Sequence, residues 1–301
     1  MQQVISELNT ANIGEILLNE PMANHTTWKI GGPADLFIIP NGKQELSELV
    51  RILNRHRIPW INLGRGSNML VMDKGIRGAV IKPGRGLDYV RFEKNIAYAG
   101  SAYSFIKFSV MAGKEGLTGV EFGGGIPGSV GGAVYMNAGA HGSDVSRILK
   151  SAEAVLETGE LVQMQAEDLQ FSYRHSLLQQ LPAIVTEAVF ELRYGDRKEI
   201  AAAMAFFKDR RLKTQPLQAA CAGSVFRNPE GDHSARLIEA AGLKGFRVGG
   251  AQVSKLHSNF IVNTGKATAS DVLTLMEHIQ STIDDQFGVK LVPEVLVVGE
   301  R

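Results

Sequence analysis

Residues 123–142 read GGGIPGSVGGAVYMNAGAHG, with glycine at 123, 124, 125, 128, 131, 132, 139 and 142. A run this poor in side chains admits few structures: a flexible linker, a phosphate loop, or a tight backbone wall around a flat ligand. The linker fails, because flexible linkers are polar and repetitive whereas Val130, Val134, Tyr135 and Met136 are interleaved here and demand burial. Gly123–Gly128 spells GxGxxG, but that motif binds a dinucleotide only where it follows a strand and opens a helix. Upstream, Ser104–Glu115 reads as a helix, and Pro127 followed by more glycines is a poor helix start. No GxxxxGKS or GxxxxGKT is present, which excludes a P-loop. Two readings remain: a compact loop whose N–H groups face a ligand at close range, or a structural turn without one.

A second loop favours the ligand. Gly64-Arg65-Gly66-Ser67-Asn68 follows the apolar run Trp60–Leu63 and offers a guanidinium, a hydroxyl and an amide, a set suited to a diphosphate. Two glycine loops imply a long ligand with a diphosphate and a flat ring system, for which FAD is the natural candidate.

Around the loops the periodicities alternate. Asp35–Pro40 reads as a strand, Lys43–Arg57 as a helix with Leu46, Leu49, Val50 and Leu53 on one face, and Trp60–Leu63 as the next strand, a βαβ unit. Strands are expected at 79–82, 95–99, 152–157, 161–164 and 183–193. A strong helix at 198–212 ends before Thr214-Gln215-Pro216, a domain boundary. Beyond it the sequence predicts a helix over 234–241, a strand near 259–262, a helix over 270–287 between an N-cap at Ser270 and a C-cap at Gly288, and a closing strand over 291–298. The fold class is α+β.

Composition narrows the function classes. A net charge of +1 argues against broad nucleic-acid binding, and the single cysteine, Cys221, excludes an intrachain disulfide and a multi-thiolate metal site. No basic, apolar leader and no run near ~18 apolar residues occurs, so the expectation is a cytoplasmic chain without membrane insertion.

In order and spacing, Thr26–Asp35 (TTWKIGGPAD), Gly64–Val71 (GRGSNMLV), the 123–142 stretch, Ser172-Tyr173-Arg174, Gly223–Phe226 (GSVF) and Pro293-Glu294 resemble the UDP-N-acetylenolpyruvoylglucosamine reductase (MurB) family. The resemblance runs from about Asn24 to Gly299. It implies a PCMH-type FAD-binding domain of two subdomains, 1–80 and 81–205, and a smaller α/β substrate-binding domain, 206–294, with the tail 295–301 a candidate to pack on the first subdomain. It also implies FAD and NADPH as cofactors, no metal, UDP-N-acetylglucosamine enolpyruvate as substrate, UDP-N-acetylmuramate as product, a role in peptidoglycan synthesis, and no requirement for more than a monomer. Arg174 is followed by HSLLQQLPAIV, which leaves little room for the tyrosine-bearing insertion of one form of the family and places the chain in the shorter form, type II. His25 is read as an ordinary loop residue rather than a covalent flavin anchor.

Site residues carry over position by position. The cofactor set comprises Thr27, Ile30 and Gly31; Gly64, Arg65, Gly66, Ser67, Asn68 and Leu70; Gly124, Ile126, Pro127, Gly128, Ser129, Gly131, Gly132, Ala133, Met136, Asn137, Gly139 and Ala140; and Ile184. Lys213, Asn228 and Arg211 match substrate-binding positions, although Lys213 could equally be a solvated charge, Asn228 a loop cap, and only one of Arg210 and Arg211 can point inward. The resemblance assigns catalysis to Arg174, Ser224 and Glu294. An ever-charged guanidinium suits a carboxylate on which charge develops. A carboxyl in a dry anionic pocket would have a raised pKa and could donate to it. A serine hydroxyl is a weak acid that can protonate only a strongly basic carbanion. Two other readings stand beside this one: a flavin oxidase with the same FAD domain, and a non-catalytic FAD-binding sensor. Cys221, without a histidine partner in sequence, reads as an inert thiol.

Overall fold

The structure, a computed structural model, describes residues 2–301. In chain order the elements are α1 (Gln2–Thr10), β1 (Gly14–Pro21), β2 (Pro33–Pro40), α2 (Lys43–Arg55), β3 (Trp60–Asn62), β4 (Met69–Val71), β5 (Ile76–Ile81), β6 (Val90–Glu93), β7 (Ile96–Gly100), α3 (Phe105–Lys114), β8 (Leu117–Thr118), α4 (Val130–Tyr135), β9 (Gly139–Ala140) and β10 (Ser143–Asp144). There follow β11 (Leu149–Leu156), β12 (Leu161–Gln165), β13 (Ala183–Glu191), β14 (Arg193–Tyr194), α5 (Arg197–Thr214), α6 (Ser234–Ala240), β15 (Arg247–Val248), β16 (Ala251–Val253), β17 (Ile261–Asn263), α7 (Ala269–Phe287) and β18 (Leu296–Val298). The chain divides into two compact units: residues 1–18, 36–65 and 78–209, and residues 19–35, 66–77 and 210–301.

The first unit has two cores. One packs α1 and α2 on a sheet of order β1-β2-β5-β3, with Leu46, Leu49, Val50 and Leu53 of α2 all buried as their spacing predicts. β5 lies between β2 and β3, so the βαβ strands are not neighbours. The helix stops at Arg55, where Arg57 turns to φ 56 before Pro59. The other core packs α3 and α4 on an antiparallel sheet of order β12-β11-β13-β7-β6, around Phe105, Phe108 and Phe190. Ser104 caps α3 by accepting from the Lys107 N–H at 3.4 Å.

The second unit gathers α6, α7 and the sheet β15-β16-β17 with segments from far earlier in the chain. Trp28 is fully buried and its indole N–H donates to the Ile261 carbonyl at 2.8 Å. β18 pairs in parallel with β4, Leu296 opposite Met69. These pairings join residues more than two hundred positions apart, so no contiguous division of the chain describes the unit.

Four local expectations are corrected. The N-cap of the long C-terminal helix is Thr268, not Ser270: Thr268 accepts from the Asp271 N–H and Asp271 reciprocates, a capping box, while Ser270 lies inside the helix. The closing strand covers only Leu296–Val298; Pro293 makes an isolated bridge to Phe226 instead. The glycine stretch does open a helix, α4, because Ser129 supplies the N-cap that Pro127 and the glycines seemed to deny. α1, β1 and the β15–β16 pair arise where no strong periodicity announced them.

The start of α7 has a second support. The Asp73 carboxylate accepts from the N–H groups of Ala269 (2.8 Å) and Ser270 (3.0 Å), satisfying donors that a helix leaves orphaned at its first turn. Asp73→Ala is therefore expected to destabilise the second unit by about 1–2 kcal/mol. Urea unfolding followed by hydrogen exchange across 266–287 measures it, and unchanged protection there would contradict this account.

Candidate active site

In the first unit the two glycine loops meet. A Cβ at Gly64 would lie 2.7 Å from Ser129 Oγ, and Ser129 Oγ accepts from the Gly132 N–H at 3.3 Å. Gly131 donates its N–H to the Ser101 carbonyl, and a Cβ there would stand 2.9 Å from Ser101 Cβ. Gly123 is pressed in the same way on the Phe105 ring, at 2.8 Å. These glycines are spent on packing the wall against its own framework. Gly124 and Gly132 meet only side-chain ends, at 3.2 Å or more.

Polar atoms around these loops lack protein partners. Asn62 Oδ1, on the last residue of β3, and Ser101 Oγ are both buried with no hydrogen bond. Burial without a partner is unfavourable by about 1–3 kcal/mol per group, so such atoms fit a bound molecule. Lys82 adds charge: burial first, then the Arg65 guanidinium, pushes its ammonium pKa below the ordinary value. Two neighbouring cations beside these unpartnered polar atoms fit a diphosphate, so the residues present suit FAD. Asn62, Ser101 and Lys82 escaped the sequence reading; a lone Asn or Lys ending an apolar strand was the only signal.

The other cofactor candidates of this unit are placed as follows. Arg65 and Pro127 are exposed; Ile126, Gly128 and Met136 are half-buried, and Ala133 is buried in α4. Gly139 and Ala140 form β9, paired with β10. Ile184 is fully buried in the α1–α2 core, with only an apolar contact to offer. Asn137 is buried at φ 42, its Oδ1 accepting from the Ser146 N–H at 3.0 Å and its Nδ2 donating to the Ser172 carbonyl at 2.9 Å.

That last bond leads to Arg174. Ser172 and His175 exchange backbone bonds, each 3.1 Å, closing a turn with Tyr173 and Arg174 at its tip. Arg174 adopts φ 57, a left-handed conformation that an L-residue holds at a cost of about 1–2 kcal/mol. Surrounding bonds must over-determine such a residue. Residues 176–182 alone separate the turn from β13.

In the second unit, Thr27 donates its N–H to the Gly66 carbonyl at 3.1 Å, and a Cβ at Gly66 (φ 62) would strike the His25 carbonyl at 2.1 Å. His25 itself bonds Glu20 at 3.0 Å. Ile30 and Leu70 are buried in the core, Gly31 packs on Val71, and Ser67 is half-buried. Asn68 donates its Nδ2 to the Glu294 carbonyl at 3.1 Å, an anchor rather than a free amide.

Ser224 and Glu294 lie on adjacent backbones. The Glu294 N–H donates to the Val225 carbonyl at 2.7 Å, and both residues are half-buried. Buried Asn259 holds the serine's segment from the other side: it exchanges side-chain bonds with the Phe226 N–H (3.0 Å) and carbonyl (2.8 Å), and its own carbonyl accepts from Val225. Gly223, preceding Ser224, adopts φ 77, with nothing within 4 Å of where a Cβ would stand.

Of the substrate candidates, Arg210 is exposed while Arg211 is half-buried, settling which points inward. Arg211 Nε, Gln215 Oε1 and Arg227 Nε are buried without partners. Burial lowers the Arg211 pKa and raises that of the Cys221 thiol, with the two groups close enough to interact. Lys213 is exposed on the last turn of α5. Asn228 is exposed, with Oδ1 accepting from the Ser234 N–H at 3.2 Å at the start of α6.

Comparisons with known proteins agree along the whole chain. The FAD binding domain family matches residues 34–165, and the UDP-N-acetylenolpyruvoylglucosamine reductase C-terminal domain family matches 215–298. The UDP-N-acetylenolpyruvoylglucosamine reductase of Bacillus velezensis is 49% identical over 99% of both chains. That of Bacillus subtilis is 47% identical over 300 residues, 99% of each chain. The crystal structure of the Thermus caldophilus reductase superposes with a TM-score of 0.81 at 34% identity, covering 95% of this chain and 98% of that one. An FAD-type wall, a C-terminal domain of this kind and near-complete coverage coincide in one chain, and it belongs to the UDP-N-acetylenolpyruvoylglucosamine reductase family.

Proposed function

We propose that the protein reduces the enolpyruvyl ether of UDP-N-acetylglucosamine to the lactyl ether, giving UDP-N-acetylmuramate for peptidoglycan, with FAD and NADPH as cofactors. The observation that carries this reading is the match of residues 215–298 to the reductases' own C-terminal domain. A flavin oxidase or a bare FAD sensor would need only the FAD-binding part. Among the described residues no helix is long and apolar enough to cross a membrane, in keeping with work on nucleotide-linked substrates in the cytoplasm.

When bound, FAD supplies a hydride equivalent, drawn from NADPH, to the substrate carbon β to the carboxylate. The chain's residues must then handle the charge left on the α-carbon and carboxylate. Arg174 pairs with the carboxylate through its planar donors, and Glu294 donates a hydrogen bond to it when protonated. Ser224 delivers a proton to the α-carbon from Oγ, and a water or lysine relay restores it. A hydroxyl suffices because the acceptor is a strongly basic carbanion. Asn62, Ser101, Arg65 and Lys82, with the side-chain-poor glycine wall, hold FAD. Arg211, whose buried Nε lacks a protein acceptor, meets the substrate diphosphate, with Lys213 and Asn228 at the rim.

The purified protein should be yellow, reduced anaerobically by NADPH and reoxidised by the UDP-enolpyruvyl sugar. A colourless protein, or one reoxidised only by oxygen, would refute the reading. Ser224→Ala is expected to leave flavin reduction within about twofold and to slow reoxidation by roughly 10²–10⁴-fold, the usual range for a proton donor. Stopped-flow absorbance separates the halves, and equal loss in both would count against Ser224. Cys221 has no chemical role here, and burial pushes its thiol pKa up, which favours the protonated form at neutral pH. Cys221→Ala should turn over within about twofold of the parent, and iodoacetamide should label the native thiol slowly at pH 7. Rapid labelling that abolishes activity would show otherwise.

A further inference from the structure

The Arg174 turn is anchored by a side chain that neither the sequence motifs nor the family resemblance singled out. Gln179 uses one amide group for two bonds: Nε2 donates to the Arg174 carbonyl at 3.0 Å and to the Tyr135 carbonyl at 3.0 Å. Fully buried Ser176 donates its hydroxyl to the same Tyr135 carbonyl at 2.7 Å. Tyr135 ends α4, so its carbonyl is one that the helix leaves without an internal partner. The glycine wall thus finishes in an acceptor, and the turn bearing Arg174 supplies the donors.

We infer that Gln179 is a positioning residue for the reductive step: it fixes the peptide plane that follows Arg174 and thereby holds the guanidinium's backbone at φ 57. The inference rests on the reading of Arg174 given above. The requirement is chemical. Two carbonyl acceptors face one side chain, and only a group with at least two N–H donors satisfies both. Without it the left-handed residue loses the restraint nearest its own carbonyl, and the turn relaxes toward ordinary φ. A wall residue and a substrate-binding residue are in this way set by one amide, so the distance between them does not depend on loop stiffness. Gln179 touches no reacting atom in this account.

The test uses the FAD-loaded enzyme and three variants: Gln179→Met, Arg174→Met and the double variant. Gln179→Met keeps length and packing but has no donor. It is expected to slow reoxidation by the UDP-enolpyruvyl sugar roughly 10- to 100-fold, as a small misplacement does, while reduction by NADPH and FAD content stay within about twofold. In the Arg174→Met background the same change should add little, because Gln179 acts through Arg174. Hydrogen exchange gives a readout apart from activity: the His175 amide, bonded to Ser172 across the turn, should exchange at least about tenfold faster in Gln179→Met, with α4 unaltered. Reoxidation at the parent rate in Gln179→Met, with Arg174→Met slow, overturns the inference. Equal slowing of both half-reactions, or loss of FAD, also overturns it by revealing a general structural role. If Arg174→Met itself reoxidises at the parent rate, the assignment of Arg174 fails instead, whatever the turn's exchange shows.

Discussion

Gly131 lies flat on Ser101, N–H to carbonyl, with no space between them for a Cβ. That contact sets where α4 runs on the five-stranded sheet, and other features of the first unit follow from it. Ser129 caps the helix beside Gly64, and its far end presents the Tyr135 carbonyl. Asn137, one residue past its C-cap, holds the Ser172 end of the Arg174 turn. A larger residue at 131 would displace the helix, and with it the loops that meet at Ser129 and the turn that bears the guanidinium. Close packing transmits such a shift rather than absorbing it.

The second unit depends on different contacts but the same economy. Buried Asn259 spends its side chain on the Phe226 backbone, and Asn68 spends its amide on the Glu294 carbonyl. Neither touches the proposed chemistry, yet they fix the two backbone segments on which Ser224 and Glu294 lie. Polar side chains that look like ligand groups in a motif are here used to satisfy backbone that would otherwise be buried unpaired. The atoms left over, Arg211 Nε, Gln215 Oε1 and Arg227 Nε, are the better guide to where a ligand's polar groups are needed.

The helices with a strong apolar face were legible before any coordinates: α2, α3 and α7 lie within a few residues of their expected positions, because a buried stripe with a 3.6-residue period has few alternatives. Cap choice at α7 was not, since Thr268 and Ser270 are both acceptable N-caps in isolation and only the reciprocal Asp271 bond distinguishes them. Residues 291–295 read as strand from composition, but only Leu296–Val298 finds a partner, in β4. Strand identity depends on the neighbour, which local sequence does not name.

By itself the sequence determined the α+β class, the order of the glycine motifs and the chemical kinds of residue available: guanidinium, hydroxyl, carboxyl and two side-chain-poor loops. Those follow from periodicity and residue type, which are local. Only the tertiary structure decided which glycines leave no room for a Cβ, at 123 and 131, and which meet only side-chain ends, at 124 and 132. It alone drew residues 19–35 and 66–77 into the unit of the C-terminal segment, and it alone placed Gln179 under the Arg174 carbonyl. The physical reason is the same in each case: close approach and hydrogen-bond satisfaction are properties of pairs distant in sequence, and a one-dimensional pattern carries no record of who the partner is.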